Sequence, residues 1–295
     1  MKKYVIVTDS CSDLDKELRT AYDVDYIPMH FTLDGVDYEA SLDWDAFSPQ
    51  EFYGKMRAGK RFLTSQVNAA QYLERFKSYL EQGYDILSIS CSSALSASVK
   101  ASRVAKEQLL KDYPDAKIYC IDSLNSCFGL GLLCLTASDM RKEGKTIDEV
   151  AEWIENNKLC VNQECTVEKL TYLKQAGRVS AASAFFGGLL NIKPIIISDA
   201  KGQNFAVEKV KGRKTSIDRL AERFAEQVED VPYQYVCVAH ADSIDDALEL
   251  KAAVASKMKK PLPIRVGYVG PIVGASSGPG TLAVYFFGRK VTTNE

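Results

Sequence analysis

The chain has 295 residues, 46% of them apolar, close to the length at which one hydrophobic core stops growing, so two filled domains are expected. Its 37 lysines and arginines nearly balance 39 aspartates and glutamates, with no long run of one sign, which argues against a nucleic-acid partner. No stretch approaches the roughly eighteen apolar residues of a membrane span, and Asp9 and Asp13 interrupt the N-terminal apolar run too early for a signal peptide. The expectation is a cytoplasmic protein without stable membrane insertion. Its eight scattered cysteines contain no Cys-x-x-Cys pair and read as reduced thiols. With only His30 and His240 besides, no metal site is predicted.

In chain order, Tyr4 to Thr8 reads as a first buried strand and Asp13 to Tyr22 as a helix. Ser48-Pro49-Gln50-Glu51 combines an N-cap, a proline at the first helical position and a capping-box glutamate, which starts a helix running to about Ala58. Asn68 to Gln82 has amphipathic helical spacing. Strand 86–90, helix 95–112, strand 117–121 and a long helix from Cys127 to Glu143, closed by Gly144, follow. This alternation predicts an α/β fold whose first domain carries a mostly parallel sheet with helices on both faces. A second capping box, Thr146 to Glu149, starts a helix ending near Asn156-Asn157, where the composition changes. Residues 1–157 and 158–295 are therefore the expected domains. The second half is less regular. Helical patterns at 166–175, 180–190, 213–228 and 243–258 mix with strands near 194–198, 205–210, 234–239, 263–268 and 281–287, which predicts a mixed sheet.

Candidate chemistry gathers at strand ends and helix starts: Thr8-Asp9-Ser10, Thr64-Ser65-Gln66, Ser92-Ser93 and Asp122-Ser123. In a parallel sheet the carboxyl ends of the strands share one edge, so these hydroxyls can face a single crevice, although each is also a favoured helix cap. The run Cys91 to Ser98 follows an apolar strand and offers hydroxyls and helix N–H groups suited to an anionic head, without acid or base. A nucleophilic serine needs a base, and His240 is the one serious candidate, equally readable as a cap or a core histidine. No Gly-x-Ser-x-Gly elbow and no phosphate-cradling glycine loop is present. The apolar run from Ala184 to Ile196, with Phe185, Phe186, Leu189 and Ile192, can wall an elongated cavity or fill a core. The basic run Lys209 to Lys214, which includes Arg213, can meet an anionic head or lie in a solvated turn. Gly270 to Thr281 reads as a glycine-dense loop that lets backbone approach a ligand.

Taken together, Thr8-Asp9-Ser10, Thr64-Ser65-Gln66, Ser92 to Ser98, Asp122-Ser123, Gly177-Arg178, Asn191 to Pro194, His240-Ala241-Asp242 and Gly278-Pro279-Gly280 keep one order over essentially the whole chain. This joint pattern resembles the DegV family of bacterial fatty-acid-binding proteins. The resemblance implies a two-domain DegV-like α/β protein that encloses one long-chain fatty acid, tail in an apolar tunnel and carboxylate near the interdomain surface. It further implies a binding subunit that presents the carboxylate to a separate fatty acid kinase catalytic subunit, which forms an acyl phosphate for phospholipid synthesis, with no cofactor of its own. By residue-wise carry-over, Thr64 and Ser93 are the main head-group donors, with Ser65 and Ser92 beside them. Arg178, Arg213 and His240 are the side chains expected to contact the head group or a partner. Two positions depart from the pattern: Ala97-Ser98 stands where Gly-Thr is frequent, and Ser276 where many members carry histidine, which leaves a hydroxyl but no positive charge. Two readings from other classes stand beside this one: a serine/histidine acyl hydrolase using His240, and a regulatory interaction protein without a specific lipid.

Overall fold

The computed structural model describes residues 2–179 and 191–295. The apolar run that opens the chain forms β1 (Tyr4–Asp9), and a 3-10 turn over Ser10–Ser12 leads toward α1 (Lys16–Tyr22). The helix starts three residues later than its sequence pattern suggests. Asp13 adopts a left-handed backbone (φ 52) that closes the turn, and the Asp15 carboxylate then caps the helix by accepting the Leu18 amide at 2.9 Å. Next come β2 (Val24–Ile27), β3 (His30–Leu33), β4 (Val36–Glu39), α2 (Pro49–Arg57), β5 (Leu63–Ser65) and α3 (Ala69–Glu81). The strands among these are only three or four residues long, too short for alternation to stand out, and the sequence reading lacks all of them. Both halves of the predicted Ser48/Glu51 capping box form. A further box, Asn68 with Gln71, starts α3.

The half closes with β6 (Asp85–Ser90), α4 (Ser98–Leu109), β7 (Ile118–Asp122), α5 (Phe128–Lys142) and α6 (Ile147–Asn157), the last opened by the Thr146/Glu149 box. β2-β1-β6-β7 is a wholly parallel sheet, packed against the α3–α4 and α5–α6 pairs. β4-β3-β5 is a small antiparallel sheet beside it. Helix α4 starts at Ser98, not 95, because residues 91–97 form a hydrogen-bonded turn.

The remaining described elements are β8 (Val161–Thr166), α7 (Thr171–Ala176), β9 (Ile192–Ser198), β10 (Asn204–Lys211), α8 (Arg213–Gln227), β11 (Val236–His240), α9 (Ile244–Lys257), β12 (Ile264–Tyr268), α10 (Pro271–Ser277) and β13 (Leu282–Phe287). The strands form a mixed sheet of order β10-β9-β8-β13-β11-β12 in which only β11 and β12 run parallel. The helix read at 166–175 begins only at Thr171, and the strand β8 that ends at Thr166 ahead of it was not expected. β8 hides from pattern reading because its buried Asn162, Gln163 and Glu164 are polar, each paired to Arg289 and Cys160 carbonyls, Asn204 and Arg223 respectively. The glycine-dense segment at 270–281 is largely helix α10, opened by Pro271. Gly274 is required on it, since a Cβ there would stand 2.3 Å from the Tyr53 hydroxyl, which donates to the Val269 carbonyl. The helix expected at 180–190 lies outside the described residues.

One large core runs through both sheets, from Ile6 and Phe76 to Tyr285 and Phe287. A second core under α8 and α9 centres on Phe224 and Phe286, whose rings meet edge to face at 4.8 Å. Among the described residues no helix is long and apolar enough to cross a membrane.

Candidate functional site

The hydroxyl-rich turn after β6 is held from below and from the side. Asp9, at the end of β1, accepts the Cys11 amide at 3.0 Å and the Cys91 amide at 2.9 Å, tying the ends of two neighbouring strands together. Asp122, at the end of β7, accepts the Ser93 and Leu124 amides, both at 3.1 Å. Ser92 is fully buried: its hydroxyl donates to the Gly202 carbonyl at 2.8 Å and accepts the Ala94 amide. Ser98 accepts the Val67 amide at 3.3 Å, which lays the Thr64-Ser65-Gln66 segment alongside Ser93 to Ser98. Ser10 and Ser123 are likewise spent on backbone groups, the first on Ala40 and Met29, the second on Asn125. The carboxyl-end edge of the sheet is thus divided in labour. Asp9, Ser10, Asp122, Ser123 and Ser92 are buttresses and the Ser96 hydroxyl is bonded to Ser98, while Thr64, Ser65 and Ser93 line the space in front.

That space is a cavity of about 560 Å³, within the roughly 300–1,000 Å³ typical of small-molecule sites, and both halves of the chain line it. The first half supplies Thr64, Ser65, Gln66, Ser93, Ser96 and Ser126. The second supplies Val167, Leu173, Ile196, Val269, Ile272 and Tyr285, all buried apolar side chains. Ser276 and Ser277 of α10 join the hydroxyl side. Among the described lining residues Arg178 alone carries a formal charge. Its guanidinium donates to the carbonyls of Leu95, at 3.2 Å, and Ala176, so no carboxylate neutralises it through these bonds. Thr64, Arg178 and Ser276 also border an adjoining polar hollow of about 480 Å³, where Lys60, Arg61 and Lys169 lie.

Of the sequence-derived candidates, Thr64, Ser65, Ser93, Ser276 and Arg178 converge on this cavity. Ser92 does not line it, because its hydroxyl is committed to Gly202. Arg213 is engaged by Asp246 at 2.8 and 2.9 Å, away from the cavity wall. His240 is buried against the Tyr268 ring at 4.4 Å, its Nδ1 accepts the Ser243 amide, and burial lowers its pKa. No described hydrogen bond joins it to a serine hydroxyl, so a base-activated serine has no support in the geometry. Ile192 opens β9 but is not on the wall, where Ile196 stands instead, one helical turn's worth of sequence further but on the same extended strand. Phe185, Phe186 and Leu189 lie outside the described residues. Sequence reading passed over Ser277, whose buried hydroxyl lacks a hydrogen-bond partner among the described residues while its residue lines the cavity. Only its neighbour Ser276 carried a motif signal. Among the described residues no cluster of three or more metal-ligating side chains occurs.

Residues 3–289 match the model of the DegV family, described as uncharacterised proteins, and the chain belongs to that family. A DegV domain-containing protein of Clostridium perfringens is 38% identical over 291 residues, 98% of each chain. A solved DegV family protein from Thermus thermophilus, described for its fatty acid binding, superposes with a TM-score of 0.87 at 25% identity, over 98% of this chain and 100% of its own. DegV of Bacillus subtilis, described as a fatty acid binding protein, does so with a TM-score of 0.82 at 26% identity, over the same shares. The α/β architecture, with its parallel first sheet and mixed second sheet, is the one these relatives share.

Proposed function

We propose that this protein binds one long-chain fatty acid in the cavity and presents its carboxylate to a separate fatty acid kinase catalytic subunit, contributing no catalytic group itself. Residues 1–157 then form a head-group domain and 158–295 the domain that walls the acyl chain. The observation that carries this reading is the composition of the described wall: buried aliphatic and aromatic side chains mostly from the second half, neutral hydroxyls from both halves, and a single charge, Arg178. Such a wall suits an elongated apolar molecule with one anionic end, and it offers neither acid nor base for turnover. The tail supplies the affinity. About fifteen methylenes at ~0.8 kcal/mol each amount to roughly 12 kcal/mol before ordering costs. A hydrogen bond to the charged head nets about 1.5–3 kcal/mol. Thr64, Ser65, Ser93, Ser276 and Ser277 fix which end points out. Arg178, at the border with the basic hollow, is the side chain placed to meet the kinase subunit.

Native mass spectrometry of protein purified from cells, with extraction of the co-purifying molecule, tests the binding. One fatty acid per chain is expected. Adding the kinase subunit and ATP should convert it to the acyl phosphate, while the chain with ATP alone should not. A chain that neither retains nor takes up a fatty acid overturns the reading.

A further inference from the structure

Cys11 and Cys91 stand next to one another on the cavity wall. β1 and β6 are hydrogen-bonded parallel neighbours; Cys91 directly follows one and Cys11 lies two residues past the other. The Asp9 carboxylate grips both cysteine amides, so the two backbones are fixed relative to each other. The two thiols influence one another's titration, and the Cys11 thiol donates to the Met29 sulfur at 3.7 Å. Both cysteines are nearly inaccessible, at 3% and 2% exposure, yet both line the cavity, which makes the cavity their route to solvent.

We propose that Cys11 and Cys91 are a dithiol couple that closes to a disulfide when a peroxide enters the cavity. The Cys91 sulfur attacks one peroxide oxygen; the O–O bond breaks, Cys91 becomes a sulfenic acid and the first water leaves with the Cys91 proton. The Cys11 sulfur then attacks the sulfenic sulfur, the S–S bond forms and the second water departs with the Cys11 proton. In sum two thiols are oxidised by two electrons and one hydrogen peroxide is reduced to two waters. The neighbouring Cys91 thiol, burial and the Asp9 and Asp13 carboxylates push Cys11 well above its ordinary range; Cys11 lowers Cys91, but burial and the Asp9, Asp122 and Asp13 carboxylates outweigh it and raise Cys91 too, so the reaction is slow at neutral pH and quickens as pH rises.

Non-reducing peptide mapping of the full chain, stripped of lipid and exposed to hydrogen peroxide, tests this. A Cys11–Cys91 disulfide is expected, reversed by dithiothreitol, with the other six cysteines still open to alkylation after unfolding. Cys11→Ser should yield no disulfide at Cys91 under the same exposure. Oxidation confined to other cysteines, or Cys11 and Cys91 recovered as free thiols, overturns the proposal. Loading the protein first with oleate, with occupancy measured separately, should slow closure several-fold, and an equal rate in occupied protein overturns the cavity route. The first arm uses no lipid, so it distinguishes failure of this couple from failure of the fatty-acid reading on which only the second arm rests.

Discussion

Thr64 and Ser93 reach the cavity from segments 29 residues apart, stitched together by the bond from the Val67 amide to Ser98. Replacing both by alanine should weaken fatty-acid binding roughly tenfold to a hundredfold per lost hydrogen bond, the equivalent of about 1.5–3 kcal/mol each. The thermal unfolding midpoint should barely move, because neither hydroxyl is engaged in a described hydrogen bond. Displacement of a fluorescent fatty acid measures the effect, and an unchanged affinity removes both residues from the site. Beneath the wall, burial raises Asp9 to about 6 and Asp13 to about 7, against an ordinary carboxylate value of 3.8. A carboxyl that holds its proton more tightly when folded stabilises the native state least where it must ionise. Its contribution therefore falls as pH climbs from about 4 through about 7 and is level above. Asp13→Asn should gain stability relative to the wild-type chain across that window, read as the difference in urea midpoints at several pH values; a pH-independent difference would show that Asp13 is not the titrating group.

At the scale of elements, the turn at 91–97 depends on a contact made by the other half. Gly202 has φ +74, and a Cβ on it would fall 2.2 Å from the Ser92 hydroxyl oxygen that donates to its carbonyl. Gly202→Ala should cost more than about 1 kcal/mol through the left-handed backbone alone, with the clash added. It should also reduce fatty-acid affinity by loosening the turn that carries Ser93. Urea unfolding beside a binding titration checks both, and full stability with native affinity would separate the turn from Gly202. The capping boxes at Ser48 and Thr146 were readable in the sequence because their hydrogen bonds are local. β8 and α10 were not. The polar residues of β8 find their partners on Arg223, Asn204 and the 289 carbonyl, far along the chain, and Gly274 of α10 and Gly278 just past its end pack closely against Tyr53 and Tyr172.

Across the whole molecule the parallel and the mixed sheet share one large core, beside the smaller one under α8 and α9. Arg265 pairs with Asp15 at 2.5 Å and with Glu17 at 3.0 Å, Tyr53 bonds to Val269, and Ser92 to Gly202, so the halves are joined at several well-separated points. Unfolding should therefore follow one cooperative transition, with far-ultraviolet circular dichroism and tryptophan fluorescence coinciding. A fatty acid at a hundred times its dissociation constant should add about 2.7 kcal/mol to the native state. Two separated transitions, with the ligand shifting only one, would show instead that the halves unfold independently.

Local chemistry made the alternating strands and helices, the capped helix starts and the small-hydroxyl segments after the strands legible from the sequence, because periodicity, caps and turns act over a few residues. What only the tertiary structure decided is which hydroxyls face the cavity and which are consumed beneath it. Ser92 and Ser93 are neighbours of identical chemistry, yet one is buried on a glycine carbonyl 110 residues away and the other faces the cavity. No local signal separates them, since burial is set by the packing of one half of the chain against the other.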